Sequence, residues 1–302
     1  MTDMGFHLRL AFAAALSLFA CAARADTNDA PRGTGSDTNG LEVVSLSRIS
    51  GFVKADARTA YHSRGRILER GPMGMTLGRI AYDTDLLGKF GFWNWTVSSF
   101  GGSRQSVHRR PFHEVDVGAY WHYDWAFDDA EKWKLTTDVL KDWITLDGYT
   151  RDYRDRKTNA SINEWRLEVA LENPYVTPYN LVRRGLHPTD WTYYQTGVRH
   201  GFKLPWNFAF TPTFFVESGD ERFYERRYGA PVDRRRRHHS GPMALNLILD
   251  LSWKASDNLS FYTNVQQYDL VSESARDNVL ARHVREGRRD LTIFAAGLRI
   301  RF

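Results

Sequence analysis

From residue 52 to the end of the chain, apolar and polar side chains change places at every second position, in blocks of strand length. The clearest block is Glu114 to Phe127. Val115, Val117, Ala119, Trp121, Tyr123 and Trp125 alternate there with Glu114, Asp116, Gly118, Tyr120, His122 and Asp124. A period of two marks a strand with two unlike faces, whereas a helix would repeat every 3.6 residues. Asn163 to Glu172, Met243 to Trp253 and Leu291 to Phe302 share the pattern. Applied throughout, it predicts twelve strands: 52–61, 73–82, 90–100, 114–127, 133–145, 163–172, 175–182, 191–202, 208–217, 243–253, 259–269 and 291–302. The second, fifth and seventh follow it least clearly, and ten strands is the alternative. Pro178 and Pro212 count against the larger number, since each forfeits a ladder hydrogen bond, and bulges are expected to absorb them.

The connections between these strands alternate without a break between short ones, such as 128–132, 173–174 and 254–258, and long ones, such as 62–72, 101–113, 146–162, 218–242 and 270–290. A soluble sandwich has no reason to make one end short and the other long. An outer-membrane barrel does, with tight turns on the periplasmic side and loops outside. The expected fold is therefore all-β, a transmembrane antiparallel up-and-down barrel. Its apolar faces point to lipid, and Trp93, Trp121, Trp125, Trp133, Trp143, Trp165, Trp206 and Trp253 form interfacial girdles.

The N-terminus agrees with export. Arg9 precedes an apolar run, Leu10 to Ala23, and Ala23-Arg24-Ala25 is an A-x-A cleavage site, so 1–25 reads as a signal peptide. Leu18-Phe19-Ala20-Cys21 resembles a lipobox, the alternative use of the same segment. Cleavage after Ala25 removes Cys21, the one cysteine, and leaves no thiol for disulfides, metal sites or nucleophiles. Residues 26–48 form a polar, flexible periplasmic leader, and 49–302 the barrel. No later apolar run is long enough for a helical span.

If the apolar faces meet lipid, the opposite faces line the interior. They carry Lys54, Asp56, Arg58, Glu114, Asp116, His122, Arg166, Glu168, Glu172, Arg199, Arg299 and Arg301. Dry charges cost several kcal/mol each, so this set favours water in the lumen and a narrow pore over a plug of ion pairs. The long loops are basic, with Arg234-Arg235-Arg236-Arg237 their densest run, a mouth that would concentrate anions or bind lipopolysaccharide phosphates. Nucleic acid is not expected in this compartment. His62-Ser63 and His239-Ser240 do not make a catalytic couple, because neighbours in a strand point opposite ways. His238-His239 offers a metal no further ligands, so the reading includes no enzyme activity, metal or cofactor.

The last strand places Ile300, Leu298, Ala296 and Phe294 two, four, six and eight residues before a C-terminal Phe302. This resembles the signal by which bacterial outer-membrane barrels engage their assembly machinery. The segments Asp56 to Arg66, with Tyr61-His62-Ser63-Arg64-Gly65, and Glu164 to Phe202, with Asn173-Pro174, Tyr193-Tyr194 and Gly197 to Phe202, are similar to small porins of the TorF type. They resemble more distantly the oligogalacturonate- and sialic-acid-specific porins. That resemblance implies a twelve-stranded monomer acting as a diffusion channel for small anionic solutes, acidic sugars among them. Asp56, Glu114, Asp116, Glu168 and Glu172 depart from a purely basic lumen. The alternatives are a non-conducting structural or surface-binding barrel and, behind it, a barrel enzyme of lipase or protease type.

Overall fold

In lipid a strand must satisfy every backbone N–H and C=O on both sides, and only a closed sheet does so. The computed structural model describes residues 48–64, 66–69, 71–100, 113–127, 132–147, 160–187, 190–228, 239–282 and 290–302. Along them run β1 (Ile49–Arg58), β2 (Tyr61–Ser63), β3 (Arg66–Glu69), β4 (Met73–Asp83), β5 (Lys89–Ser99), β6 (His113–Ala126), β7 (Lys134–Asp147) and β8 (Ala160–Glu172). There follow β9 (Thr177–His187), β10 (Trp191–Arg199), β11 (Phe202–Lys203), β12 (Phe208–Gly219), helix α1 (Glu221–Tyr228), β13 (Gly241–Lys254), β14 (Leu259–Leu270), helix α2 (Glu273–Arg282) and β15 (Asp290–Arg301).

Twelve of the strands close into one antiparallel barrel in the order β10-β9-β8-β7-β6-β5-β4-β1-β15-β14-β13-β12, with β10 paired back onto β12. The two-residue β11 adds to β12, and β2 with β3 forms a separate hairpin. Each predicted strand has its counterpart, and the ten-stranded alternative is excluded. The first strand ends earlier than expected, at Arg58, and Tyr61 opens the hairpin instead. No bulge marks the prolines. Pro178 lies one residue beyond the last β8 pair, Ala170 with Tyr179. Pro212 lies one beyond the last β10 pair, Arg199 with Thr213, and its carbonyl accepts from the His200 N–H at 3.2 Å. Each stands where a ladder is already ending, so little is forfeited. The register shifts fall elsewhere, at Asn163/Glu164 and Glu217/Ser218.

Both barrel termini lie at the end with the short turns. There Gly51 and Phe302 exchange backbone hydrogen bonds of 2.9 and 3.1 Å. The Phe302 ring covers Gly51, where an added Cβ would stand 2.6 Å from the ring and 2.4 Å from the Arg79 carbonyl. The turns use side-chain oxygens to satisfy the backbone. Asn173 Oδ1 accepts from the Tyr175 and Val176 N–H groups, and Ser256 Oγ from that of Leu259.

The outward surface is apolar, with Phe92, Val117, Leu167, Phe214, Leu247, Leu249, Leu251 and Phe294 all exposed. Aromatic rings collect at the short-turn rim, including Trp125, Trp133, Tyr175, Trp206 and Trp253, while Trp143 and Trp165 stand nearer the loop end. This is the lipid belt and girdle of a transmembrane barrel. One strand reverses the expected face. On β5, Trp93 and Trp95 point inward, and Phe90 and Phe92 point out. Both parities there are aromatic, so alternation alone could not choose. Gly118 decides it, because any Cβ at that position would lie 2.4 Å from the Trp93 Nε1.

Gly51→Val should cost about 1–3 kcal/mol by overpacking the closure seam. It would be read as a lower urea midpoint with unchanged slope for the barrel in lipid vesicles. Gly201→Ala, whose nearest neighbour would be 3.8 Å away, should leave the midpoint in place.

Candidate functional site

The interior surface is set by strand parity, since alternate residues of each strand point inward. The expected residues Lys54, Asp56, Arg58, Glu114, Asp116, His122, Arg166, Glu168, Arg199, Arg299 and Arg301 all fall on it. A cavity of about 740 Å³ occupies the barrel, and Arg58, Glu114, Asp116, Arg166, Glu168, Arg199 and Arg299 are part of its wall. Lys54, Asp56, His122 and Arg301 are not among the cavity's lining residues. Arg234 to Arg237 and His238 lie outside the described residues.

Opposite charges organise one side of the wall. On β8, Glu164 Oε1 accepts from Arg64 at 2.7 Å and from Arg183 at 2.6 Å, with Asp142 3.7 Å from the same Arg183. One step down, Glu168 takes Arg166 at 2.5 Å and Arg199 at 3.1 Å. His122 meets Asp138 at 3.1 Å, and Lys134 meets Glu172 at 3.1 Å. Across the barrel, Arg58 grips Asp56 through two bonds of 2.9 and 2.8 Å, and the Tyr262 hydroxyl donates to the same carboxylate at 2.7 Å. Four cations on the β15, β1 and β4 wall have no ion pair among the described residues: Arg299, Arg301, Lys54 and Arg79. Three of these lie over rings, Lys54 over Tyr262 at 4.0 Å, Arg79 over Tyr120 at 4.8 Å and Arg299 over Phe52 at 5.3 Å. Of the lining residues, seven are arginines (58, 64, 79, 166, 183, 199, 299) and five are carboxylates (Glu114, Asp116, Asp138, Glu168, Glu217). Asp56 and Glu164, just behind the lining, neutralise Arg58, Arg64 and Arg183, so the wall is near balance as a whole and its unpaired cations gather on the β15, β1 and β4 side.

Water reaches this interior unequally from the two ends. Along the inward face of β8, side-chain exposure falls from 38% at Glu172 to 12% at Glu168 and 0% at Glu164. Along β7 it falls from 28% at Lys134 to 20% at Asp138 and 1% at Asp142. The cavity is a cup open toward the short turns.

Its floor is an apolar layer at the loop end. Met73, Val97, Ile144, Trp191, Tyr193, Met243, Tyr268 and Leu270 come from the strands, Tyr61 from the hairpin, Phe223 and Tyr224 from α1, and Ala275 from α2. Phe223 meets the rings of Trp191 and Tyr193 at 5.2 and 5.3 Å. Gly185 leaves space for Trp191, whose indole would stand 2.2 Å from a Cβ there. Asp220 caps α1 by accepting from the Phe223 N–H at 2.7 Å and holds it to β10 by accepting from the Thr192 N–H at 2.7 Å. Burial pushes the Tyr224 phenol up, in keeping with its donating to the Gly241 and Pro242 carbonyls.

The first long connection corrects the expectation of an outer basic loop at 62–72. It turns inward as the β2–β3 hairpin. Tyr61 packs on Trp95 at 5.4 Å, His62 on Tyr268 at 4.0 Å and within 3.8 Å of Glu217, and Arg64 reaches Glu164 while its guanidinium lies 5.4 Å from the centre of Trp191. Arg183, expected in a loop, belongs to the wall of β9. Arg79, Asp138 and Asp142 were missed because β4 and β7 follow the alternation weakly. Their pairing with the strongly patterned β5, β6 and β8 fixes the face that their own sequences leave open.

No protein-family model matches this chain, and no curated protein matches it. Among solved structures it is similar to the KdgM porin, with 9% identity, 83% of this chain and 99% of that one covered, and a TM-score of 0.44. It is likewise similar to the outer membrane phospholipase A from Escherichia coli, with 13% identity, coverage of 83% and 92%, and a TM-score of 0.44. An anion-selective porin from Comamonas acidovorans matches at 7% identity, coverage of 84% and 98%, and a TM-score of 0.32. Likenesses this distant transfer no function.

Glu164→Ala should destabilise the barrel by about 3–5 kcal/mol, because it takes from Arg64 and Arg183 the buried carboxylate they share. Glu172→Ala, at the exposed end of the same face, should cost under about 1 kcal/mol. Urea midpoints of the two variants in lipid vesicles check the contrast.

Proposed function

We propose that this chain is an outer-membrane channel of the porin type for small solutes with a preference for anions, held closed by its own first loop. The observation that carries the reading is the charged cup, wet from the short-turn end and floored by an apolar layer to which the β2–β3 hairpin contributes a polar latch. A purely structural barrel has no need of a hydrated cavity of about 740 Å³ with unpaired arginines on one wall. The unpaired Arg79 and Arg299 on one wall favour anions, and the basic loops would gather them. The more distant resemblance to the oligogalacturonate- and sialic-acid-specific porins makes acidic sugars the first solutes to test. Like those porins, the barrel is read as a monomer, with Phe302 addressed to the assembly machinery and both termini in the periplasm.

A second reading, a non-conducting barrel, is favoured by one observation. Met73, Val97, Trp191 and Met243 belong to the wall itself, so part of the floor would remain with the hairpin withdrawn.

Planar-bilayer recording separates the two. The native chain should show rare openings with an anion-selective reversal potential in a salt gradient. Arg64→Ala removes a charged hydrogen bond worth about 1.5–3 kcal/mol and should raise the ratio of open to closed time roughly 10- to 100-fold. Arg79→Glu should move the reversal potential toward cations. Silence from a folded, heat-modifiable Arg64→Ala barrel would establish the non-conducting reading.

A further inference from the structure

The lipid-facing surface holds one cation that the barrel's own chemistry does not explain. Lys141 stands on the outward parity of β7, between Ala119 of β6 and Trp165 of β8, with the exposed Val117 on its loop side and Leu167 on its short-turn side. Its ammonium donates to the Asn163 side-chain carbonyl and lies 5.0 Å from the centre of the Trp165 ring and 5.9 Å from that of Trp143. It has no carboxylate partner among the described residues. An outward lysine is costly at the middle of the hydrocarbon and nearly neutral at its edge. Seven residues separate it from the short-turn end of β7 at Lys134. At about 3.3 Å per residue and a tilt of roughly 40°, that places it about 18 Å up a belt roughly 25 Å tall. Its long side chain can carry the charge to the upper boundary.

The next position along the same row is also basic. Trp165 pairs with Arg184 on β9, an exposed outward guanidinium bonded to Asp190 at 3.1 and 2.8 Å, with Arg222 3.9 Å from that same carboxylate. The row therefore runs Lys141, Trp165, Arg184 across three strands, with more positive than negative charge and an exposed indole between the cations.

We propose that this row is a binding site for the phosphate of an anionic lipid in the outer leaflet. Lys141 donates to the phosphate, and Trp165 and Trp143 lie along the head group and the first acyl carbons. Leu167 and Val139 below supply a surface for acyl chain, and the unpaired charge supplies a reason for the lipid to be anionic. A soluble partner is disfavoured by the belt that surrounds the site. The site depends on the barrel's spanning a membrane and is independent of conduction.

The test uses the full barrel in phosphatidylcholine nanodiscs prepared with and without lipid A, with bound lipid counted by native mass spectrometry after detergent extraction. Inorganic phosphate serves as the soluble control, and heat-modifiable mobility confirms folding. Lys141→Met should lower lipid A retention about tenfold, Lys203→Met, at the exposed short-turn end, should leave it unchanged, and inorganic phosphate should not displace it. Equal retention by Lys141→Met and the native chain would overturn the site, as would an equal loss in Lys203→Met, which would mean general charge attraction. Competition by inorganic phosphate would make it an adventitious anion site, and a dimer lost on Lys141→Met would assign the row to a second copy of the chain.

Discussion

Backbone hydrogen bonding in hydrocarbon is the constraint on which everything else depends. A strand edge left open in lipid would strand a row of N–H and C=O groups at several kcal/mol each, so the first and last strands must meet. They do so through β1 with β15. The C-terminal residue completes this seam, its main chain paired with Gly51 and its ring filling the space where a side chain would be. Closure in turn fixes strand parity, and parity decides which charges meet water and which rings meet lipid.

Once the barrel is closed, its two ends follow different physical rules. At the short-turn end the interior charges remain partly hydrated, and ion pairs such as Lys134 with Glu172 resemble surface pairs. At the loop end the most deeply buried carboxylate, Glu164, is neutralised at close range by Arg64 and Arg183. The remaining space is taken by methionine, tryptophan and tyrosine. The first loop crosses from one regime to the other. Tyr61 joins the apolar layer, and Arg64 supplies the countercharge that lets Glu164 be buried.

The fold was legible because closure writes itself into the sequence as alternation. It was clearest where one face is charged, as in β6 and β8, and weakest in β4, β7 and β9, where apolar and polar residues are mixed on both faces. On β5 the inward choice of Trp93 depends on Gly118 of the next strand, a relation no single strand's pattern contains. The interior charges could be placed by parity, but their pairing could not. Arg183 looked like loop residue because the alternation of β9 fades before its end. The inward turn of 61–69 left no trace in composition, since a basic loop facing water and a basic hairpin meeting a buried Glu164 are written with the same residues. Asp220 and Ser272, just ahead of the two helices, were the available cap signals.

The account turns on an interior that water enters from one end. The most direct measurement is thiol accessibility in single-cysteine variants made on a Cys21→Ser background and folded into lipid vesicles. Glu172→Cys, on the open face of the cup, should react quickly with a small charged methanethiosulfonate, and Met243→Cys, in the floor, should resist it. Equal rates at the two positions would show an interior open at both ends and would contradict the floor, the latch and the closed state together.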